Sequence, residues 1–460
     1  MNPVSSSEQA PEGGLDSAEE ILGGFPRHLT RDLISADELD RPGRSLLGTW
    51  LMGAGLALFA LALPQAALVG RGPASLAAWC EGELFSGGVT WSLFVRGLSE
   101  CLDWRWEPAA LLLSALCYGA TLPALASLGR LLGVSRGSAL SVAALVLFSP
   151  LAWVAATTPG PEALALLMGV LLLRALWQSR EVPPNGLHLV LVALLFVAAV
   201  GASSGLLFTL PAVVLGLFGG PPELVSSRRG SVLKVIAALA SLALCILLFE
   251  FLPAEAPALG GYCDPAQLSL LKTLALFGGS LALTLLGLAA LVALRRGESE
   301  QAPPVWLALW ALLPLAAALL FSAGPSLSVL HLLPLAALGG LDLVGRNEDS
   351  LAAWVRPACV LGALLPLFLA LKWISNHDPE GAWRARAQAV LEPDDLVLVR
   401  RAEHAYLLSE RWNIEVLEVT GDALASLVRT AQSEGRRVVL DTLAGPPAGL
   451  SQSPARIEDL

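Results

Sequence analysis

Residues 70–107 read GRGPASLAAWCEGELFSGGVTWSLFVRGLSECLDWRWE, and this polar stretch decides how the rest of the chain is interpreted. It contains five acidic residues, two cysteines and four tryptophans. Uncharged apolar runs, 45–70 and 108–129, stand on either side of it. Each run is long enough to cross a bilayer, because about 20 apolar helical residues span the hydrocarbon region. The stretch is therefore predicted to be a long loop between the first two membrane spans.

The composition indicates a polytopic membrane protein. Hydrophobic residues make up 55% of the chain and charged residues 15%, and the mean hydropathy is +0.65. A soluble domain is about 45–50% apolar and about 25% charged, so the excess apolar surface must face lipid. The net charge of −10 lies mostly in the two ends, which argues against a nucleic-acid partner. The expected fold is an all-α membrane bundle with a small C-terminal α/β domain.

Hydropathy and charge predict about eleven transmembrane helices within 45–375. Arginine and lysine are concentrated in alternate turns, as the positive-inside rule expects, which places the N-terminus inside and the C-terminus outside a membrane such as the bacterial inner membrane. The polar residues 1–44 predict a disordered cytoplasmic tail rather than a cleavable signal peptide. The predicted spans are 46–69, 108–129, 138–156, 161–178, 187–202, 205–219, 232–252, 273–294, 304–322, 326–344 and 352–375.

The composition changes after the last predicted span. Residues 376–460 alternate between helix-like and strand-like segments, which indicates a small parallel α/β domain on the extracytoplasmic side. No GxGxxG or Walker pattern is present, so nothing indicates a nucleotide. The last dozen residues are expected to be disordered. The helical segments are 382–391, 402–412 and 422–433, and the strands are 396–399, 414–419 and 438–440.

Acidic residues at the outer ends of apolar helices are the candidates for chemistry. Glu81 and Glu83 lie in the first loop, and Glu162 opens the fourth span after the turn 157–161. A carboxylate at a membrane surface can act as general base towards a hydroxyl or amine. Two simpler interpretations stay open: Glu162 as a partner of the positive helix end, and the loop acids as solvated charge.

The order of elements resembles the C-type (GT-C) membrane glycosyltransferases, the superfamily of the protein O-mannosyltransferases and the aminoarabinose transferase of lipid A. Members of that family have a helical hairpin whose outer turn carries a second acid. SPLAW at 149–153 with TPGPEAL at 158–164 is similar to that hairpin, with Glu162 in place of the usual aspartate. EPDDLVLV at 392–399 resembles the first strand of the soluble domain in some bacterial members. The first-loop motif departs from the family's, since it reads CEGEL at 80–84, and either Glu81 or Glu83 could match the catalytic acid.

The resemblance implies transfer of a sugar from a polyprenyl-phosphate donor to an extracytoplasmic acceptor, with a carboxylate as general base. Cations near the interface pair well with a lipid phosphate. The candidates for the donor phosphate are Arg71, Arg96, Arg105 and Lys272, each of which could equally be an interfacial anchor. Some members of the family need a divalent metal, for which the three glutamates could supply oxygen ligands, although the sequence requires none.

Two other functional classes stay open. A non-catalytic membrane subunit, or a degenerate transferase, is compatible with the unusual first-loop motif. A transporter or flippase is less compatible, because it predicts ionisable groups near the bilayer midplane, where few are found. Cys80, Cys101 and Cys263 fall on the predicted outer side, where a disulfide or free thiols are both compatible with the sequence.

Overall fold

The computed structural model describes residues 42–62, 88–181, 186–218, 309–310, 332–346, 368, 387, 389–392, 395–399, 415–418, 423–440 and 455–456. Helices dominate the first half of the described chain. They are α1 (Pro42–Ala62), α2 (Val89–Leu102), α3 (Trp106–Leu131), α4 (Arg136–Leu147), α5 (Pro150–Thr157), α6 (Glu162–Glu181), α7 (Gly186–Ala202), a 3₁₀ turn (Ser204–Thr209), α8 (Leu210–Phe218) and α9 (Leu332–Arg346).

Helix α3 is the central element of the described bundle. It packs against α2, α4, α5, α6 and α9. Its buried residues point in every direction around the helix, as expected for a helix that is apolar all round and enclosed by others. Helix α6 packs in turn against α3, α5, α7, α8 and α9. These two helices therefore hold the described part of the bundle together.

Most described helices lie where the hydropathy predicts spans. Two of them, Trp106–Leu131 and Glu162–Ser179, are long and apolar enough to cross a membrane. Shorter apolar helices are Leu47–Ala62, Arg136–Leu147 and Leu187–Ala202. The predicted spans 232–252, 273–294, 304–322 and 352–375 lie outside the described residues, apart from 309, 310 and 368. The total of eleven spans stays a prediction.

Helices α1 and α3 approach each other at a pair of glycines. A Cβ added at Gly53 would lie 2.5 Å from the carbonyl oxygen of Gly119, and a Cβ at Gly119 would overlap the carbonyl oxygen of Gly53. Small residues let helix backbones approach closely in membrane proteins, where packing rather than water expulsion holds helices together. The missing side chains at these two positions therefore make this crossing possible.

The predicted span 138–156 is interrupted between α4 and α5. Pro150 has no amide hydrogen, so the carbonyl of Val146 loses its helical donor, and Ser149 Oγ donates to that carbonyl at 2.7 Å instead. The hydroxyl of Tyr118 in α3 donates to the next carbonyl, Leu147, at 2.7 Å. Ser149 also accepts from the amide of Ala152 and so caps α5. Side-chain hydroxyls thus supply hydrogen bonds to the carbonyl groups at the break, as buried backbone polar groups require.

Part of the predicted polar loop is helical. Residues 89–102 form α2, which buries Trp91, Ser92, Val95 and Ser99 on one face and exposes Leu93 and Phe94 on another. Trp91 is fully buried against the bundle, whereas Trp104 is exposed.

The C-terminal segment contains a parallel sheet. Its strands are β1 (Leu396–Val399), β2 (Glu415–Glu418), β3 (Val438–Leu440) and β4 (Ala455–Arg456), in the order β2-β1-β3-β4, and helix α10 is Ala423–Ser433. The parallel register pairs Leu396 with Glu415 on one side and with Val438 on the other. Val428 and Ala431 of α10 pack with residues of β1 and β3 in a separate small core.

An ion pair ties the starts of β1 and β3. Arg437 donates to both carboxylate oxygens of Asp395, at 2.8 and 2.6 Å, and to the carbonyl of Val390 at 2.6 Å. The buried Asp395 also accepts from the amide of Glu392 at 2.8 Å. The hydrogen bond and charge of Asp395 raise the pKa of the Arg437 guanidinium. This bidentate geometry fixes the chain next to the Leu396–Arg437 backbone bond.

The outcome for the C-terminal predictions is mixed. Strands β1 and β3 have their predicted bounds, and β2 and α10 lie within theirs. The expected disorder of the last dozen residues is wrong at 455–456, because those residues pair with Val439 and Leu440 of β3. Residues 1–41 of the predicted tail 1–44 lie outside the described residues, as do the predicted helix 402–412 and most of 382–391. Helix α1 begins at Pro42, so the expected disorder is wrong for 42–44.

Candidate active site

Glu162 is the predicted catalytic residue that the structure describes. It is the first residue of α6, as the sequence predicts, and only 7% of its surface is exposed. The residues 152–166 around it are all buried. A carboxylate is seldom buried without a structural or functional reason, because removing its charge from water is expensive.

The turn that precedes Glu162 contacts α3 about two helical turns into that helix, not at its N-terminus. Ser114 of α3 donates to the carbonyl of Gly160 at 3.2 Å, and the amide of Gly160 donates back to Ser114 Oγ at 3.5 Å. Ser114 lies eight residues after Trp106, which corresponds to about 12 Å along the helix axis. The turn before Glu162 therefore lies about two helical turns along the α3 axis from the N-terminus of α3.

The hydroxyls of Thr157 and Thr158 donate to carbonyl groups four residues earlier in the chain. Thr157 Oγ1 donates to the carbonyl of Trp153 at 2.9 Å, and Thr158 Oγ1 donates to that of Val154 at 2.7 Å. The carbonyl of Val154 also accepts from the backbone amide of Thr158 at 3.1 Å, so the hydroxyl bonds add to the backbone bonds that end α5. These threonines therefore stabilise the shape of the turn.

Aromatic residues support the helix that leads into the turn. Trp153 in α5 lies edge-on to Tyr118, with ring centroids 6.4 Å apart, and tilted against Phe59 of α1 at 5.4 Å. Such pairs stabilise a packed arrangement by about 0.5–1.5 kcal/mol beyond the area that they bury. Helix α5 is therefore anchored both by Tyr118 and by α1.

Helix α2 is joined closely to the end of α7. Gly88, at φ +106°, has no room for a Cβ beside the carbonyl oxygen of Gly201, and a Cβ on Gly201 would overlap Thr90 Oγ1. This contact places Gly88, five residues after Glu83 in the sequence, next to the end of α7. Glu81 and Glu83 themselves lie outside the described residues.

Two of the four predicted phosphate-binding cations are described. Arg96 is half-buried on α2, and Arg105 is exposed directly before α3. Helices α2 and α6 pack against the same two helices, α3 and α7, so Arg96 and Glu162 belong to one group of packed helices. Arg71 and Lys272 lie outside the described residues, as do Cys80 and Cys263. Cys101 is an exposed free thiol.

Of the three glutamates that the sequence offers as metal ligands, the described residues include Glu162 alone. Within the described ranges, no group of three or more His, Cys, Asp or Glu residues is arranged to hold a metal ion. The carboxylate of Glu162 has the hard oxygen donors that Mg²⁺ and Ca²⁺ prefer, but a single carboxylate does not define a site.

Ser114 and Tyr118 were missed by the sequence interpretation. They are polar residues four positions apart in a largely apolar helix, and this spacing puts them on one face. That face holds the chain on both sides of α5, since Tyr118 donates to Leu147 before it and Ser114 donates to Gly160 after it. The spacing was a usable signal, but their partners, 29 and 46 residues away, were not predictable from it.

The arrangement of helices is similar to that of a solved structure, ArnT from Cupriavidus metallidurans. ArnT from Cupriavidus metallidurans bound to undecaprenyl phosphate is 14% identical, with a TM-score of 0.50, over 84% of this chain and 88% of the ArnT chain. Its apo state gives 15% identity and a TM-score of 0.50, over 86% and 89% of the two chains. The chain has the ArnT fold. The predicted resemblance is therefore confirmed for the fold alone.

A second solved structure is more distant. Archaeal oligosaccharyltransferase AglB from Archaeoglobus fulgidus, in complex with an inhibitory peptide and a dolichol-phosphate, is 10% identical with a TM-score of 0.47. The similarity covers 81% of this chain and 64% of the AglB chain, so the chain spans about two thirds of that protein's length. No protein-family model matches the chain, and no curated protein matches it.

Proposed function

We propose that this chain is an integral membrane glycosyltransferase that moves a sugar from a polyprenyl-phosphate donor to an acceptor on the extracytoplasmic face. The buried carboxylate of Glu162, in a chain with the fold of ArnT, carries this proposal. The solved ArnT chain is bound to undecaprenyl phosphate, which suggests a lipid of the same chemistry for this protein.

The proposed reaction is a single displacement with inversion. A carboxylate, Glu162 or one of Glu81 and Glu83, takes the proton from an acceptor hydroxyl or amine. The acceptor atom then forms a bond to the anomeric carbon of the sugar. The bond between that carbon and the phosphate oxygen breaks, and its electron pair leaves with the lipid phosphate. Arg96 and Arg105, together with Arg71 and Lys272, are proposed to stabilise the charge on that phosphate.

The proposal also fixes a topology. Residues 1–44 would lie in the cytoplasm, 45–375 would form the membrane domain with its outer loop 70–107, and 376–460 would form an extracytoplasmic α/β domain. Positive charge in the predicted inner turns supports this orientation. Reporter fusions after Arg296 and at the C-terminus test it, because a cytoplasmic C-terminus would remove the argument for an outer site.

The decisive experiment follows release of undecaprenyl phosphate by mass spectrometry. Purified protein is incubated with a panel of undecaprenyl-phosphate hexoses and pentoses and with cell-envelope extract as acceptor. The wild type is expected to release the lipid phosphate, and Glu162→Gln, which keeps the shape but cannot accept the proton, is expected to lose this activity. Single Glu81→Gln and Glu83→Gln variants test the first-loop acids in the same way. Full activity in all three variants would refute the proposed site.

A further inference from the structure

The carboxylate of Glu162 occupies the space that a side chain on Gly160 would need. A Cβ added at Gly160 would overlap Oε2 of Glu162 and lie 3.1 Å from its Cδ and 3.6 Å from its Oε1. The backbone of Gly160 is not in the left-handed region, since its φ lies outside the range of +20° to +160°. A glycine is therefore needed at this position for space rather than for backbone conformation.

Gly160 is itself held from α3. The hydroxyl of Ser114 is hydrogen-bonded both to the carbonyl and to the amide of Gly160, and Ser114 is 1% exposed. In a buried environment these bonds matter, because a buried backbone group that is left without a hydrogen-bond partner destabilises the fold. The side chain of Ser114 thus fixes the backbone of Gly160, which lies next to the Glu162 carboxylate.

We propose that Gly160 and Ser114 are positioning residues for the Glu162 carboxylate: Gly160 leaves the space in which the carboxylate stands, and Ser114 fixes the backbone around that space. The inference rests on the proposed function, in which this carboxylate touches the acceptor. Neither residue takes part in the reaction directly. Their role is to set the place from which the carboxylate reaches the acceptor proton.

Gly160→Ala is the direct test, because it moves the carboxylate without changing it. The group that has to move is the end of a flexible side chain, so the Tm is expected to stay within a few degrees of the wild type. The kcat for lipid-phosphate release is expected to fall about 10- to 100-fold, as for a catalytic group misplaced by about 1 Å, with little change in KM for the donor. Gly55→Ala, at a glycine with no heavy atom within 4 Å, is the matched control and is expected to keep full activity.

A double-mutant cycle separates positioning from general destabilisation. If Gly160 acts through Glu162, the variant with both Gly160→Ala and Glu162→Gln is no slower than Glu162→Gln alone. Independent effects would instead multiply, and a double variant slower by the full product of the two losses would overturn the inference. Wild-type activity in Gly160→Ala, with Glu162→Gln inactive, would also overturn it and would leave the proposed function standing.

Ser114 gives a second line of evidence. Ser114→Ala removes the bonds to Gly160 and is expected to lower kcat, whereas Ser114→Thr keeps a hydroxyl and is expected to restore most of it. Thr121→Ala, on the same helix, removes a buried hydroxyl that bonds the carbonyl of Cys117 in its own helix, and it is expected to leave kcat unchanged. Equal losses in the alanine and threonine variants of Ser114 would refute its role.

A measurement without substrate tests the same geometry. Modification of Glu162 by a water-soluble carbodiimide, followed by peptide mass spectrometry, reports how well the carboxylate is protected. We expect loss of protection in Gly160→Ala and none in Gly55→Ala. Unchanged protection in Gly160→Ala would overturn the inference. If protection is lost as expected but Glu162→Gln stays fully active, the positioning is supported and the proposed function fails.

Discussion

Replacing Gly53 by alanine is expected to destabilise the membrane bundle, because α1 and α3 touch there through their backbones. The new Cβ would lie 2.5 Å from the carbonyl oxygen of Gly119, 3.3 Å from its carbonyl carbon and 3.4 Å from Cδ of Pro123. Real Cβ atoms essentially never approach a heavy atom more closely than 3.0 Å, so the helices must separate by at least about 0.5 Å. The opposing atoms belong to the backbone and cannot rotate away.

The expected magnitude follows from this forced movement. Overpacking that shifts backbone typically costs about 1–3 kcal/mol. At about 2–4 °C per kcal/mol, the Tm of the purified protein in detergent should fall by about 2–12 °C. Tryptophan fluorescence during heating measures this change.

Gly55→Ala is the matched control for this prediction. It lies two positions along the same helix, where an added Cβ meets no heavy atom within 4 Å. Its effect on stability is expected to stay within about 0.5 kcal/mol, as at other sites without packing constraints. If Gly53→Ala and Gly55→Ala melt at the same temperature, the close approach of α1 and α3 does not exist in solution.

Three further substitutions test other contacts. Tyr118→Phe should lower the Tm, because the buried carbonyl of Leu147 loses its donor at a cost of about 1–3 kcal/mol; an unchanged Tm would mean that another group satisfies it. Gly88→Ala should detach the start of α2 from Gly201, because alanine disfavours the φ of +106° and its Cβ would overlap the carbonyl oxygen of Gly201. Faster proteolysis near residue 88 in native-state digests would show this, and wild-type resistance would contradict it. Asp395→Asn should destabilise the C-terminal sheet by about 1–3 kcal/mol, because Arg437 loses its charged acceptor; hydrogen exchange at Leu396 measures the loss, and unchanged protection there would refute it.

The parts of the fold that follow from local composition were predictable. Bilayer thickness sets the length of an apolar run, so α1, α3, α6 and α7 lie in predicted spans. The apolar runs at 396–399 and 438–440 became strands with the expected bounds. The start of α6 at Glu162 was also predictable, because a proline and an acid favour a first helical turn.

The errors have identifiable physical causes. Helix α2 was assigned to a loop because the acids and cysteines of 70–107 outweighed the helical spacing of Trp91, Val95 and Ser99, which form its buried face. The break before Pro150 was missed because an apolar run gives the same hydropathy whether it is straight or interrupted. Strand β4 is only two residues long and depends on pairing with β3, so no local pattern indicates it.

Of the proposed site, the sequence indicates Glu162 but not the residues around it. Glu162 stands out as an acid beside an apolar run, but its burial depends on contacts with α3 that are distant in sequence. The proposed roles of Ser114 and Gly160 depend on a contact across 46 residues. A single sequence contains no signal for the place where such a contact falls.

Helix α5 must keep a fixed length, because the chain is hydrogen-bonded to α3 both before and after it. Tyr118 binds the chain just before its eight residues and Ser114 binds the chain just after them, and both hydroxyls belong to one rigid helix. An insertion or deletion within α5 would rotate the downstream turn by about 100° and draw one of the two ends away from its hydroxyl. Chains of this kind that keep both hydroxyls should therefore also keep eight residues in α5, and a change in its length should accompany the loss of at least one hydroxyl.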